Sequence, residues 1–404
     1  MHLFTSKKTR INTQWFILWG IVLGRYVEVL FLALFLAYVY RAKGWKANNG
    51  IFIFFLLLGI HAVISNFMNG YSNQKSMQQL LLLFICIWGY FQFFSFYVHS
   101  VLEIWDKYMK LVYWISLIGI VQFIICLITG IDIFPTTFVP SSRIMRLHSF
   151  LFEPGTFATF ISPALIYTLF HTSYWREFKA RVIVIWIAEI LTFTTIGYFI
   201  IALGLFFRFY VYFRKWRIIL LPLVATFLVM ASSNPENSKF VGYHDDLLAA
   251  IRMKFFQSIS AFNDFNPENF ELLNASSYAT MSNLWIANNA PNRILGTGLG
   301  THELNYERGY QSDYSLYGLN KSDAYSLFIR IYSEFGFIGI IIAILLLKRF
   351  LCKESDISIS ILFFFIASAV RGGHYTMYGV IFFVYMYYNI FITQKLLGKE
   401  NKSK

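Results

Sequence analysis

A short segment in the first half of the chain carries two arginines, a histidine and a carboxylate directly before a long apolar run. The segment is Arg143-Ile-Met-Arg146-Leu-His148-Ser-Phe-Leu-Phe-Glu153-Pro154-Gly155. Guanidinium forks match phosphate oxygens and keep their charge in a low-dielectric setting. A neighbouring carboxylate or imidazole can accept a proton. We expect Arg143 and Arg146 to bind an anionic group; the alternative is that they only flank the end of a helix.

Further charged residues interrupt the apolar runs, where such residues are costly and usually mark function or pairing. Arg371, in Arg371-Gly-Gly-His374, falls at one end of the penultimate run. We expect it to join the two arginines above in one cationic basin. Arg330 and Glu334 are four residues apart and can pair on one helical face. For this pair, a structural clamp between helices is at least as good an interpretation as a functional one.

The composition indicates which elements must position these side chains. Apolar residues make up 57% of the 404 residues and charged residues 14%, against about 45–50% and about 25% in an ordinary soluble domain. This balance excludes a soluble enzyme and a disordered protein. The apolar runs lack the alternation of a transmembrane barrel, so the sequence predicts an all-α, polytopic membrane helical bundle.

The net charge of +13 lies mostly in short loops between the apolar runs, where the positive-inside rule explains it better than nucleic-acid binding does. The predicted spans lie near 51–68, 79–100, 111–130, 156–173, 216–232, 323–347, 357–371 and 377–394. Residues 11–40 and 182–213 are each long for one span and short for two. They are interrupted at Gly24-Arg25 and at Thr192–Gly197. The positive-inside rule assigns the basic loops at 41–46, 176–181, 208–217 and 348–353 and the tail from Lys395 to the cytoplasm, which requires 182–213 to cross twice. With the basic residues 7–10 also inside, 11–40 likewise forms two short spans. The prediction is about 10–12 transmembrane helices with both termini in the cytoplasm.

Five regions follow from these spans. They are N-terminal transmembrane helices (1–130), a short outer-face loop with the Arg and Glu-Pro motif (131–155), central transmembrane helices (156–232), a large outer-face loop (233–321), and C-terminal transmembrane helices with a cytoplasmic tail (322–404). Loops as long as the fourth region are rarely structureless unless they are functional. Four of its tyrosines are candidates for stacking on sugars: Tyr306, Tyr310, Tyr314 and Tyr317. Half of these are expected only to pack the loop.

The same loop contains the glycine run Gly296-Thr-Gly298-Leu-Gly300, followed by His302. A dinucleotide site would need a strand before this run and a helix after it, and neither is expected in an outer-face loop. The run instead predicts a tight turn that brings the backbone close to a ligand.

Four segments, in this order along the chain, resemble the signatures of bacterial O-antigen polymerases and the related O-antigen ligases. They are Arg146-x-x-Ser149-x-x-x-Glu153-Pro154 before a span, Leu191-Thr-Phe-Thr194-Thr195-Ile-Gly197-Tyr198 between two short spans, Trp285…Pro291-Asn-Arg293-Ile-Leu-Gly296-Thr-Gly298-Leu-Gly300, and Asp323-Ala-Tyr325…Glu334-Phe-Gly336-Phe-Ile-Gly339. Arginines of the family pattern are missing beside Gly197 and upstream of Trp285, and Arg252 or Arg293 is the expected substitute for the second.

This resemblance implies a glycosyltransferase that polymerises oligosaccharide repeat units at the outer face of the bacterial inner membrane. The donor is a growing chain on undecaprenyl pyrophosphate, the acceptor is one repeat unit on the same lipid, and the lipid pyrophosphate leaves. No metal, cofactor or nucleotide sugar is implied. The implied partners are membrane lipid, a flippase and a chain-length-regulating membrane protein, and no nucleic acid is among them.

The implied chemistry assigns roles to the candidate residues. Positioned arginines stabilise the charge that accumulates on a pyrophosphate leaving group, and the candidates are Arg143, Arg146, Arg293 and Arg371. An incoming sugar hydroxyl needs a general base within hydrogen-bond reach. Glu153 is the first candidate, followed by Asp323, His148 and His302. Gly298 is expected to lie against the sugar or the pyrophosphate.

Three alternatives remain open. A ligase would pass the finished chain to the lipid A core, and ligases typically carry a histidine just before the position of Asp323, where this chain has Ser322. A flippase for lipid-linked oligosaccharides would lack the long loop and would carry polar residues along a central path. A non-enzymatic scaffold would tolerate substitution of Arg146 and Glu153.

Overall fold

A computed structural model describes residues 7–134, 145–212, 265–271 and 273–400, which form helices and no strands. The first nine helices are α1 (Lys7–Leu23), α2 (Arg25–Lys43), α3 (Asn49–Asn69), α4 (Gln74–Phe96), α5 (Val101–Thr129), α6 (Pro154–Phe170), α7 (Thr172–Glu177), α8 (Lys179–Leu191) and α9 (Thr195–Tyr212). The later ones are α10 (Pro267–Phe270), α11 (Ala275–Asn288), α12 (His302–Gly309), α13 (Leu327–Phe350), α14 (Asp356–Val370) and α15 (Val380–Glu400). The predicted all-α fold class is confirmed for these residues.

Among the described residues, four helical stretches are long and apolar enough to cross a membrane: α3, α4, Val98–Thr129 and α13. Five further apolar helical stretches are shorter. Large apolar side chains on α3, including Phe52, Leu56 and Phe67, are exposed. Exposed apolar surface of this extent is unusual for a soluble monomer and suits a helix that faces lipid. These features indicate a membrane protein.

Both interrupted apolar stretches form two helices each, as the sequence predicted. Gly24 separates α1 from α2 with a φ of 60°, and the Tyr378 ring lies so close that a Cβ at Gly24 would approach it to 2.6 Å. Residues 192–194 separate α8 from α9, with Phe193 at a φ of 46°. The predicted span 216–232 lies outside the described residues, as do Arg143 and the whole of 233–264.

The centre of the bundle is an antiparallel pair formed by α6 and α14. Their packed residues include Phe160 and Phe364, both essentially buried. A hydrogen bond of 2.8 Å between His171 and Asp356 joins the end of α6 to the start of α14. Helices α5, α8, α9 and α15 pack around this pair, and α1 and α2 form a hairpin against α5 and α4.

The two ends of the bundle differ in charge. The end where α6 stops and α14 starts collects the basic loop residues that the sequence assigned to the cytoplasm: Arg41, Lys46, Arg176, Lys179, Arg181, Lys348, Arg349, Lys353 and Lys395. Lys46, for example, donates to the carbonyl of Ser95 at the end of α4. The opposite end holds the start of α6, the end of α14 and the start of α15. We call the first of these ends the basic end. The second is the cavity end, because a cavity opens there.

Helix α13 is broken, whereas the sequence predicted one continuous span at 323–347. Gly336 has a φ of 63° and a ψ of −162°, which interrupts the helix in its middle. The segment 293–298 fills the break: Phe337 N donates to Arg293 O at 2.9 Å, and Gly298 N donates to Glu334 O at 2.9 Å. The backbone groups freed by the break are thereby satisfied, which is the condition for a broken helix at membrane depth.

Candidate functional site

A cavity of about 340 Å³ opens at the cavity end of the bundle. Its polar lining includes Glu153, Asn320, Asp323, Tyr325, Arg371 and His374, and its apolar lining includes Phe160, Phe364, Met377 and Val380. The polar groups come from the start of α6, the end of α14 and the segment before α13. Tyr26 at the start of α2 also lines the cavity and is 70% exposed, so the cavity reaches the outer surface of the bundle.

Three polar side chains meet at one wall of this cavity, and we call them the open cluster: Glu153, Tyr325 and Arg371. Arg371 Nη2 lies 3.0 Å from Glu153 Oε2, and Arg371 Nη1 donates to the Tyr325 hydroxyl at 2.6 Å. Tyr325 also hydrogen-bonds to Ser276. Burial works to lower the pKa of Arg371, but Tyr325 and Glu153 outweigh it and raise the pKa above its usual value. The guanidinium therefore stays charged while it faces the cavity.

Local sequence explains how Glu153 and Arg371 approach each other. Pro154 occupies the first turn of α6, where its missing N–H costs nothing, and Glu153 precedes it in extended conformation. Gly155 is required because a Cβ there would overlap the Arg371 side chain. A larger residue at this position would push the arginine away from the carboxylate.

A second polar pair in the cavity joins Asp323 to His374. His374 Nε2 lies 3.2 Å from Asp323 Oδ2. The two segments are held together by their backbones, because Gly372 N donates to Tyr325 O at 2.9 Å. A Cβ at Gly373 would overlap the Asp323 carbonyl. The Arg371-Gly-Gly-His374 segment is therefore docked closely on the segment that carries Asp323.

Arg146 lies near the open cluster without belonging to the residues that line the cavity. Burial lowers its pKa, and the positive charge of Arg371 lowers it further. Leu147 N donates to Leu191 O at 3.0 Å, which ties this segment to the break between α8 and α9. Two neighbouring guanidinium groups repel each other, and an anion bound between them would relieve that repulsion.

Backbone strain is concentrated around the cavity. Seven described residues other than glycine have a positive φ. Three of them, Asn320, Tyr325 and Tyr378, line the cavity, and two more, Phe152 and Ala324, are neighbours of Glu153 and Asp323. Such conformations cost of order 1–3 kcal/mol each and cluster at functional sites. The observed strain independently marks this cavity as the candidate site.

His148 lies elsewhere. Its Nε2 is 2.7 Å from Asp132 Oδ2 and 2.9 Å from Gln122 Nε2, and its side chain is buried. Burial works to raise the pKa of Asp132, but hydrogen bonds from His148 and Gln122 outweigh it and lower the pKa. His148 does not line the cavity, and its contacts tie the segment that carries Arg146 to the end of α5.

Gly298, His302 and Arg293 belong to the segment docked on α13. The close backbone approach predicted for the glycine run is an approach to this helix, since a Cβ at Gly296 would overlap the backbone of Glu334. His302 Nε2 donates to Asn283 Oδ1 at 2.8 Å. Burial lowers the pKa of His302 to about 3, and Arg330 contributes to the shift. Arg293 is exposed, and none of the three lines the cavity.

A second arginine–glutamate pair lies below the surface on α13, and with Tyr375 it forms what we call the closed cluster: Arg330, Glu334 and Tyr375. Arg330 Nε is 3.1 Å from Glu334 Oε1, and Tyr375 donates to Glu334 Oε2 at 3.0 Å. Arg330 Nη1 also donates to the Gly373 carbonyl at 2.8 Å. This geometry supports the clamp interpretation, because the pair holds the segment that carries Arg371 and His374.

The four tyrosines proposed for sugar stacking all pack on one small core, two inside it and two at its edge. Tyr306 and Tyr310 are buried in a small core with Phe270, Tyr278 and Met281. Tyr314 and Tyr317 are half-buried beside that core.

Sequence reasoning missed Tyr325 and His374 as members of the site. Both stood inside segments that had been singled out, Asp323-Ala-Tyr325 and Arg371-Gly-Gly-His374. A signal was present in the glycine pair between Arg371 and His374, since adjacent glycines allow close docking of one backbone on another.

Among the described residues no group of three or more metal-ligating side chains occurs. Comparisons of the chain with protein-family models, curated proteins and solved structures give no match.

Proposed function

We propose that this protein is a membrane glycosyltransferase that polymerises oligosaccharide repeat units carried on undecaprenyl pyrophosphate. The observation that carries the proposal is the open cluster, in which a charged arginine, a carboxylate and a phenol line a cavity at the end opposite to the basic loops. By the positive-inside rule the basic end faces the cytoplasm. The cavity then faces the outside of a bacterial inner membrane, where lipid-linked repeats are joined.

The arginines suit a pyrophosphate leaving group. In the reaction, a sugar hydroxyl of the acceptor attacks the anomeric carbon of the donor, and the bond from that carbon to the pyrophosphate oxygen breaks. The electron pair goes to the pyrophosphate, whose growing charge Arg371 and Arg146 stabilise. The repulsion between the two guanidinium groups favours binding of such an anion. Arg293 is less suited to this role because it is exposed and lies on the segment docked on α13, whereas Arg146 is close enough to Arg371 to feel its charge.

The attacking hydroxyl must lose a proton to a base in the cavity. Glu153 is the first candidate because its carboxylate lines the cavity beside Arg371. His374, oriented by Asp323, is the second, since a carboxylate that fixes an imidazole is a common arrangement for a general base. Direct attack by the hydroxyl would invert the configuration at the anomeric carbon.

One observation favours a second candidate function, the O-antigen ligase. The sequence lacks a histidine directly before Asp323, which argued for a polymerase. In space, however, His374 occupies the neighbourhood of Asp323 at 3.2 Å. A ligase would use the same cavity and the same arginines but would transfer a finished chain to the lipid A core.

Polysaccharide ladders from a polymerase-deficient host test the proposal. Cells would carry wild-type protein, Arg146→Ala, Glu153→Gln, or Glu354→Gln as an exposed control at the basic end, all at matched membrane levels. Loss of the ladder with one capped repeat retained, in the first two variants only, supports a polymerase. A wild-type protein that gives no ladder in this host but restores capped sugar in a ligase-deficient host indicates a ligase. An unchanged ladder in Glu153→Gln and Arg146→Ala contradicts both.

A further inference from the structure

A second, shallower depression of about 470 Å³ lies on the surface of the segment between α12 and α13, and the proposed reaction does not use it. We call it the groove, and it is lined by Gln311, Ser312, Asp313 and Tyr317. Gln311 and Asp313 are exposed, so their amide and carboxylate groups are available to a ligand in solvent. The lining residues that the structure describes include no arginine or lysine, which distinguishes the groove chemically from the cavity.

The aromatic wall of the groove is fixed in place. The Tyr317 hydroxyl donates to Tyr310 O at 2.8 Å, and its ring meets those of Tyr306 and Tyr310 at centroid distances of 5.5 and 5.8 Å. Tyr306 is fully buried, so this side of the ring rests on the small core. The other side of the half-buried Tyr317 ring is a rigid aromatic surface, which loses little conformational entropy when it binds a ligand.

These side chains fit an uncharged or weakly charged glycan. One face of a pyranose ring is lined with C–H groups that pack on an aromatic ring, while its hydroxyls donate to a carboxylate and exchange hydrogen bonds with an amide. An open, polar groove with one aromatic wall suits an extended polymer better than a small molecule, which is usually bound in an enclosed apolar pocket.

The groove lies on the same segment as one part of the cavity lining. Tyr317 in the groove and Asn320 in the cavity lining are three residues apart, so at most about 10 Å of chain separates them. Lys321 anchors the segment through an ion pair of 2.9 Å with Glu307. A glycan that leaves the cavity along this segment meets Tyr317 within a few sugar units.

We propose that the groove binds the glycan of the growing chain, next to the site where the chain is extended. This inference rests on the proposed polymerase function. A chain held in the groove keeps a high effective concentration at the cavity between successive transfers. The groove thus increases the length of the product, while the transfer itself depends on the cavity.

The length distribution of the polysaccharide tests the groove. In the polymerase-deficient host, the double variant Gln311→Ala, Asp313→Ala should still produce polymer but shift the modal chain length downward. Ser315→Ala, an exposed change on the same segment outside the groove lining, should leave the distribution unchanged. The same modal length in the double variant and in the wild type would overturn the proposal.

A binding measurement separates this proposal from the proposed function. The probe is the polysaccharide released from cells that carry the wild-type protein, titrated into purified full-length protein in lipid nanodiscs. We expect the double variant to bind about tenfold more weakly, because two exposed hydrogen-bonding groups are lost. Equal binding overturns the groove. If Glu153→Gln abolishes the ladder while the double variant keeps both normal binding and normal lengths, only the groove proposal fails.

Discussion

The open cluster and the closed cluster contain the same three side-chain types at the same end of the molecule, yet they differ in access. In the open cluster the side chains of Arg371 and Glu153 are 26% and 33% exposed, and they line the cavity. In the closed cluster the side chains of Arg330 and Glu334 are 3% and 1% exposed. Residue types and pairing therefore do not distinguish a candidate site from a clamp, whereas access to a cavity does.

The two clusters are connected by one short segment. Arg330 donates to the carbonyl of Gly373, which stands between Arg371 and His374. Tyr375 of the closed cluster follows directly. We infer that the closed cluster fixes the backbone from which Arg371 and His374 extend, so that the open cluster is preorganised for its ligand. Substitutions in and around the two clusters separate these two roles.

The largest expected effect is on stability and comes from the closed cluster. Arg330→Ala leaves the Glu334 carboxylate buried without its charged partner, which typically costs about 3–5 kcal/mol. The midpoint of thermal unfolding in detergent should fall clearly below that of wild type, and Lys353→Ala, an exposed change at the basic end, serves as the control. An unchanged midpoint for Arg330→Ala would mean that the pair is not a clamp.

The break in α13, which lies beside the closed cluster, gives the next largest effect. Gly296→Ala places a Cβ against the backbone of Glu334 at a φ of 74°, so strain and overpacking together should cost about 3 kcal/mol. Gly130→Ala is the matched control, because Gly130 has a φ of 71° with nothing within 4 Å of its Cβ position. Equal losses in chemical denaturation of the two variants would contradict the docking of this segment on α13.

These elements show what could be predicted from sequence. The interruptions at Gly24 and 192–194 followed from span lengths and from the positions of basic loops. Most predicted spans lie within a few residues of the helices, but α5 begins at Val101 rather than near 111. Glu153 and Arg371 were each chosen as functional, because charge beside apolar runs is conspicuous. Their direct pairing could not be predicted, since the two residues are 218 positions apart and meet only because α6 and α14 pack antiparallel.

Other misses have a similar cause. The break at Gly336 depends on backbone hydrogen bonds from residues 293–298, which no local pattern in α13 reveals. His148 is close to Arg146 in sequence and looked equally functional. Asp132 and Gln122, which precede it by 16 and 26 residues, hold it in a buried cluster. Contacts between segments decided each of these cases.

Acid should weaken the region around the closed cluster, with His302 as the reporter. Its pKa is about 3 when folded and about 6.5 when unfolded, so the unfolded state binds the proton more readily. The contribution of His302 to the free energy of unfolding is fully present well above pH 6.5 and decreases by about 1.4 kcal/mol per pH unit below it. At pH 5 the loss is about 2 kcal/mol. Denaturation midpoints of wild type and His302→Gln between pH 7.5 and 5 measure the difference, and parallel curves would contradict this account.

The smallest effects compare the two tyrosines. Tyr325→Phe removes a hydroxyl that contacts Arg371, and it should slow polymer formation about tenfold with little change in stability. Tyr375→Phe removes the hydrogen bond to Glu334 and should lower stability by about 1 kcal/mol while the remaining folded protein keeps its rate. Rates and unfolding midpoints measured on the same preparations provide the comparison. The reverse assignment of effects would show that the roles of the two clusters have been exchanged.

The most direct measurement uses purified protein with lipid-linked repeat units and records both the rate of polymer formation and the unfolding midpoint of Arg371→Ala beside Arg330→Ala. The account predicts that Arg371→Ala loses about 100- to 1,000-fold in rate, as expected when one stabilising donor is removed, with a midpoint near that of wild type. Arg330→Ala should show the opposite pattern, a lower midpoint with a smaller loss of rate per folded molecule. Full activity in stable, folded Arg371→Ala protein would contradict the assignment of the open cluster as the active site.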